Sequence, residues 1–161
     1  MNVRRGGSIF GSLLTVVACS SPTGPGAVVD TVVAHGLRLT LSAVPETVMV
    51  GDSFRVGFSL TNVTNLPVKI TTSYTCLFFL VTFRGESSFP LQGSGYACGA
   101  AFTDHVYAAG DSIGWSLWLR AAPALADSMA ATFGPGTYTV RTQMNADLPK
   151  LEVAVEVVDS S

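Results

Sequence analysis

Charge is scarce in this chain: of 161 residues only 12% are charged, and the 9 Lys and Arg are scattered singly against 11 Asp and Glu. Without a basic stripe nothing is available to track a phosphate backbone, so no nucleic acid is expected as a partner. Histidine is rarer still, with only His35 and His105, and cysteine occurs three times. Thiols and imidazoles this few and this dispersed do not make a tetrahedral metal set. No H-E-x-x-H, P-loop or dinucleotide fingerprint occurs, so neither a metal nor a cofactor is implied. Internal repeats are absent as well. What the chain does hold is 48% hydrophobic residues, 16 glycines and 8 prolines. That is enough apolar surface for one core at a length that suits one domain, with too little charge for a disordered chain.

The first 35 residues read as an address and a tether. Arg4 and Arg5 supply positive charge, Ser8 to Ala18 form a short, mainly apolar run, and small residues precede Cys19, the three parts of a secretory signal. The run is too short for a membrane helix, which needs about 20 apolar residues, and Pro22, Gly24, Pro25 and Gly26 close off an extension. Val16-Val17-Ala18-Cys19 resembles the lipobox of bacterial lipoproteins, which implies that Cys19 becomes the acylated N-terminus and that the chain meets the membrane through its lipid. The alternative is an ordinary signal peptide with an incidental cysteine. The Ser/Pro/Gly composition of residues 20 to 26 directly after Cys19 is that of a tether. Removal of residues 1–18 takes away two cations and no acid, leaving seven against eleven. The expected organisation is a signal peptide at 1–18, a lipidated Cys19 with its tether to 35, and a folded domain over 36–159, displayed at a bacterial cell envelope.

Strand periodicity fills the remainder. Leu37, Leu39 and Leu41 alternate with polar residues, as do Phe54, Val56, Phe58 and Leu60, then Ile113, Trp115, Leu117 and Leu119, then Tyr138, Val140, Thr142 and Met144, and finally Leu151, Val153, Val155 and Val157. Alternate side chains fall on opposite faces of a strand, so each run predicts a one-sided strand. Cys76 to Phe83 is apolar at both parities and is expected to sit centrally, Tyr96 to Thr103 is a weaker strand, and only Ala121 to Ala131 has a helical option. Seven to nine short strands separated by turn residues predict an all-β antiparallel sandwich, because two half-apolar sheets bury each other's inner faces. In an exported chain whose third cysteine carries lipid, Cys76 and Cys98 are expected to form a disulfide. Closing a loop of about 23 residues stabilises a fold by roughly 3 kcal/mol.

Catalytic motifs fail on context. Gly110-Asp111-Ser112-Ile113-Gly114 matches G-x-S-x-G, and Gly51-Asp52-Ser53-Phe54 resembles the opening block of GDSL-type esterases. A nucleophile elbow needs a helix after its serine, whereas both sets here precede alternating strands, where Gly, Asp and Ser serve turns. His105, beside Asp104 and near Tyr107, is the arguable base for Ser112, and a serine hydrolase built on that pair is a third-ranked reading. Glu152 and Glu156 read as a solvent face, and Asn62-Val63-Thr64 as a turn rather than a glycan acceptor. Trp115 and Trp118 are three apart and so point to opposite faces. An outward tryptophan near Tyr107 would anchor a protein, peptide or glycan, making Tyr107, Trp115 and Trp118 the candidate binding surface.

Phe58-Ser59-Leu60-Thr61-Asn62 with Leu66-Pro67-Val68, Ala109-Gly110-Asp111-Ser112 before a Trp-bearing strand, and Gly136-Thr137-Tyr138-Thr139-Val140 resemble, in order, segments of the BsuPI-like intracellular proteinase inhibitor family. The resemblance spans most of residues 50 to 145 and implies an immunoglobulin-like β-sandwich. As an activity it implies inhibition of a protease through an exposed loop, Gly85 to Gly95 or Ala121 to Gly134. The family's Gln before an aromatic-rich strand is replaced here by Cys76-Leu77-Phe78-Phe79, and its tryptophan-rich stretch is missing around Ser87 to Gln92. The leading expectation is therefore a lipid-anchored, non-catalytic binding or scaffolding domain whose partner is an envelope component, with protease inhibition as the alternative.

Overall fold

The computed structural model describes residues 26–93, 98–124, 133–144 and 147–159. The signal segment 1–18, Cys19 and the tether as far as residue 25 lie outside the described residues. The described chain is all β: β1 (Val28–Ala34), β2 (Leu37–Val44), β3 (Thr47–Met49), β4 (Ser53–Asn62), β5 (Val68–Thr72), β6 (Phe78–Arg84), β7 (Ser87–Ser88), β8 (Leu91–Gln92), β9 (Thr103–Tyr107), β10 (Ser112–Pro123), β11 (Gly136–Met144) and β12 (Glu152–Val158). They form a first sheet in the order β1-β2-β4-β10-β8, a second in the order β3-β12-β11-β6-β7, and a two-stranded ribbon of β5 and β9. All pairings are antiparallel except β3 with β12.

The period-2 pattern explains how the two large sheets form a sandwich. Leu37, Leu39 and Leu41 of β2, Phe54, Val56 and Leu60 of β4 and Leu119 of β10 are almost wholly buried on one side. Tyr138 and Val140 of β11 and Val153, Val155 and Val157 of β12 are buried on the other. Each such Leu or Phe contributes about 1.5–3 kcal/mol by leaving water. The chain passes from the first sheet to the second between β2 and β3, across a cis Val44–Pro45 bond.

Asn62 ties one end of the sandwich together, and its buried amide explains why the Asn62-Val63-Thr64 sequence is structural. Its Nδ2 donates to the carbonyls of Leu66, Tyr107 and Ala108 at 2.8, 3.0 and 3.0 Å, while Oδ1 accepts from the backbone N–H and hydroxyl of Thr64.

Four expectations about local structure are corrected. Val28–Ala34, assigned to the tether, is strand β1, hydrogen-bonded along β2. Its alternation of half-buried Val28, Asp30, Val32 and Ala34 with exposed Val29, Thr31 and Val33 begins the folded body at residue 28. The β1–β2 turn is His35-Gly36, with φ of 50° and 78°, the left-handed pair that a two-residue hairpin requires. Strand β6 is not central but lies between β11 and the two-residue β7, so Phe79, Val81 and Phe83 are only half-buried on its outer face. Residues 98–102 are not extended in a sheet; the strand starts at Thr103. Ala121–Pro123 continues β10 rather than opening a helix, because Ala121 is buried as the next inward position after Leu119.

Candidate functional site

Strand parity builds a cleft where the ribbon meets the sandwich. On β9, Thr103, His105 and Tyr107 share one side, and Asp104 and Val106 take the other. His105 and Tyr107 thus face the space between the ribbon, the chain leading into β6, and β10. On β10, Ile113, Trp115 and Leu117 have the inward parity of buried Leu119. Together with Thr75, Cys76, Leu77, Phe78 and Ser116 these side chains line a cleft of about 420 Å³, within the usual range for small-ligand sites.

One wall of the cleft is aromatic. Phe58 and Phe78 lie with ring centroids 4.1 Å apart, and the Trp115 indole meets Phe58 at 5.8 Å and the edge of Phe78 at 5.3 Å. Such offset and edge contacts fix the indole's orientation, yet Trp115 remains 44% exposed. Cys76 and Cys98 are joined at 2.09 Å with Cα atoms 5.4 Å apart, and the same corner is laced by Thr75 N–H donating to the Gly99 carbonyl at 2.9 Å. This linkage holds the lead into β6 against the lead into β9, and so sets the cleft's width.

Polar groups enter the cleft from the ribbon. Tyr107 is only 6% exposed, and burial raises its phenol above the ordinary tyrosine range. The hydroxyl is therefore a donor at neutral pH, with no hydrogen-bond partner among the described residues. His105 Nε2 lies 3.3 Å from Thr72 Oγ1. The Thr72 hydroxyl directs its own hydrogen to the Tyr74 carbonyl at 2.5 Å, so a neutral His105 carries its proton on Nε2 and keeps Nδ1 as an acceptor. Asp104 is on the far side of β9, bound to Lys69 Nζ at 2.7 Å and to the Thr71 hydroxyl at 2.7 Å. The Lys69 ammonium first, and the Thr71 hydroxyl second, hold its carboxyl below the usual aspartate range.

The candidate residues divide accordingly. Tyr107 and Trp115 meet in the cleft. Trp118, outward on β10 and 64% exposed, is on the other face of the first sheet, opposite Arg55 in register. His105 and Asp104 point apart and do not form a pair. Ser112 is on the outer face, its hydroxyl 2.8 Å from that of Thr61, while His105 hydrogen-bonds Thr72. The Gly-Asp-Ser element is a turn: Asp111 Oδ2 accepts the Ala108 N–H at 2.7 Å and Gly110 has φ of 79°. Glu152 and Glu156 are exposed, Glu152 paired with Arg141 and Glu156 accepting from the Thr137 hydroxyl. Among the described residues no group of three or more His, Cys, Asp or Glu is arranged to hold a metal, and no helix is long and apolar enough to cross a membrane. Phe78 and Ile113 complete the cleft without having stood out in the sequence. Their only signal is an inward parity shared with core residues.

No protein-family model and no curated protein matches the chain. Among solved structures it is similar to a β-glucosidase from Erythrobacter marinus, with 12% identity, 82% of this chain and 16% of that one covered, and a TM-score of 0.45. A β-glucosidase from Listeria innocua gives 15%, 83%, 16% and 0.42. An alkylpurine DNA glycosylase from Pseudomonas fluorescens gives 10%, 84%, 31% and 0.41. The chain thus spans under a third of the length of each, and at these TM-scores the likeness carries no argument about function.

Proposed function

We propose that the chain is a lipid-anchored binding module of a bacterial envelope: Cys19 carries the acyl chains, residues 20 to 27 form the tether, and an immunoglobulin-like body presents the Trp115 cleft. Strand order supports the immunoglobulin-like reading. In that fold two antiparallel sheets are joined by Greek-key connections, and a tyrosine near the start of a late strand bonds back to the preceding corner. Here β4 pairs with β10 and β6 with β11, and the Tyr138 hydroxyl donates to the Gly134 carbonyl at 2.9 Å.

The observation that carries the binding reading is the cleft itself, a space of about 420 Å³ where a half-exposed indole stands near a buried phenol whose hydroxyl has no partner among the described residues. That hydroxyl is left to donate to a ligand acceptor, a hydrogen bond worth about 1 kcal/mol. The fitting group has a flat or branched apolar body and one carbonyl-like oxygen aimed at Tyr107. Ser112 and Asp104, the other members of the hydrolase reading, are engaged away from the cleft with Thr61 and Lys69, which leaves His105 there without a nucleophile or a carboxylate partner and supports binding.

The test uses the two tryptophans. In Trp118→Phe the cleft indole is the sole emitter, and solubilised envelope fractions should shift its emission saturably, with the shift lost in Tyr107→Phe. An unmoved Trp115 emission across all fractions would reject the cleft. Stoichiometric inhibition of a protease panel would favour the inhibitor alternative. Mass spectrometry of membrane-extracted protein should find an acylated Cys19 N-terminus, and an intact Met1 would reject the anchor.

A further inference from the structure

The outer face of the first sheet carries a separate feature that does not depend on the cleft. Arg38 on β2, Arg55 on β4 and Arg120 on β10 all have the outward parity of their strands and are exposed. Among the described residues no Asp or Glu has an outward strand position on this face. Arg38 and Arg55 meet no carboxylate among the described residues. Arg120 donates through Nε to the Gly51 carbonyl at 2.6 Å, which orients its remaining N–H groups, and nearby Asp52 makes no ion pair with it. Trp118 stands directly opposite Arg55 in register, and Arg120 is the next outward residue on the same strand. Arg38 faces Thr61, roughly 20 Å along β4 from Arg55 at the rise of an extended strand.

Between these cationic ends the face is hollowed. A trough of about 310 Å³ is lined by Thr40, Ser42, Ser59 and Ser116 over Gly57 and Gly114, with Arg55 at one end and the chain at Phe58 and Trp115 beneath. Neither glycine has a positive φ, so backbone conformation does not require them. Glycine in a strand interior weakens the strand and marks a close approach. At Gly114 an added Cβ would meet only ordinary contacts, Phe58 O at 3.6 Å and Ser59 Cβ at 3.9 Å.

We infer that this face binds an acidic glycan, a linear chain of sugars bearing carboxylate or sulfate groups. Guanidinium forks match such anions in two-point hydrogen bonds. The C–H edges of a pyranose ring are electropositive and fit the negative face of the Trp118 indole. The hydroxyls lining the trough both donate and accept, as sugar hydroxyls do. A bilayer surface has no extended chain to fill a trough, and an acidic peptide gives an exposed indole no comparable flat partner.

The experiment measures retention of the purified full chain carrying Cys19→Ser, which removes the proposed acylation site, on polygalacturonate and heparin, against dextran, polyglutamate and phosphatidylglycerol vesicles. The acidic glycans should bind it in preference to all three, with affinity falling as salt rises. Arg55→Gln and Trp118→Ala should each weaken binding about tenfold, the loss of one charged hydrogen bond or ring contact. Gly114→Val should fill the trough and abolish binding while the melting temperature holds or rises, which separates a filled site from a misfolded chain. Tyr107→Phe, in the cleft and away from the trough, should leave glycan binding unchanged. Equal retention on polyglutamate, on vesicles or on dextran would overturn the inference, as would indifference to Trp118→Ala and Gly114→Val.

Discussion

On the outer face of the second sheet Arg141 lies over the Phe83 ring, 4.3 Å from its centroid, and pairs with Glu152 across the β11–β12 register. On the first sheet Arg55 occupies an equivalent outward position opposite Trp118, with no ion pair and no cation–π contact among the described residues. Both faces are the solvent sides of one sandwich, yet Arg141 covers a half-buried Phe83 of β6, whereas Arg55 lines an open trough. The difference separates two uses of one residue type. A guanidinium that shields apolar surface and neutralises a neighbour contributes to the fold; one without a partner leaves its five donors to whatever approaches from outside.

This contrast is open to direct attack, beginning beneath both faces. Cys76→Ser, or reduction of the Cys76–Cys98 bridge, should lower unfolding free energy by about 3 kcal/mol in urea titrations, and leave glycan binding by the folded fraction intact. Asn62→Ala, which removes the buried amide that ties together the Leu66, Tyr107 and Ala108 carbonyls, should cost about 2 kcal/mol by the same measurement, and should also leave the first sheet's outer face competent. Arg141→Ala should cost about 1 kcal/mol, through lost cover on Phe83 and loss of the Glu152 pair, with no change in glycan affinity.

Acid probes a third cation, on the ribbon and outside both faces. The folded Asp104 carboxyl is held down by Lys69 and Thr71, so its contribution is complete above the unfolded aspartate pKa and disappears as pH falls through the lower folded value. A carboxyl-resolved NMR titration should find Asp104 protonating below the ordinary aspartate range. Arg55→Gln should change stability least, within about 0.5 kcal/mol, while weakening glycan binding. If Arg55→Gln destabilises as much as Arg141→Ala, the contrast between the faces fails.

Much of the sandwich was legible because its signal is local. Leu37, Leu39 and Leu41, or Val153, Val155 and Val157, announce a strand and its buried side within a few residues. The bridge followed from counting thiols in a chain whose opening reads as an export signal, and the opposed directions of Trp115 and Trp118 from their spacing. Strand β1 was hidden because Val28–Ala34 follows a Pro/Gly-rich stretch, and its polar Asp30 sits at an inward position, where it accepts the Glu152 N–H at 2.9 Å.

The cleft was only partly legible. Cys76, His105 and Trp115 meet through the β5–β9 pairing and the β4–β10 register, which no local pattern encodes. That Trp115 rather than Trp118 stands with Tyr107 depends on which side of β10 faces the second sheet. The arginine face was invisible for the same reason, since Arg38, Arg55 and Arg120 become neighbours only across paired strands.

The account rests on ligands meeting this molecule at the Trp115 cleft and the outer face of the first sheet, and not at the outer face of the second. Backbone amide chemical-shift mapping of the labelled chain, titrated with solubilised envelope fractions and then with polygalacturonate, tests that most directly. The expected shifts cluster at His105, Tyr107 and Trp115 in the first titration, and at Arg55, Gly114 and Trp118 in the second. Shifts centred on Phe83, Arg141 and Glu152, or none at saturating concentrations, would contradict it.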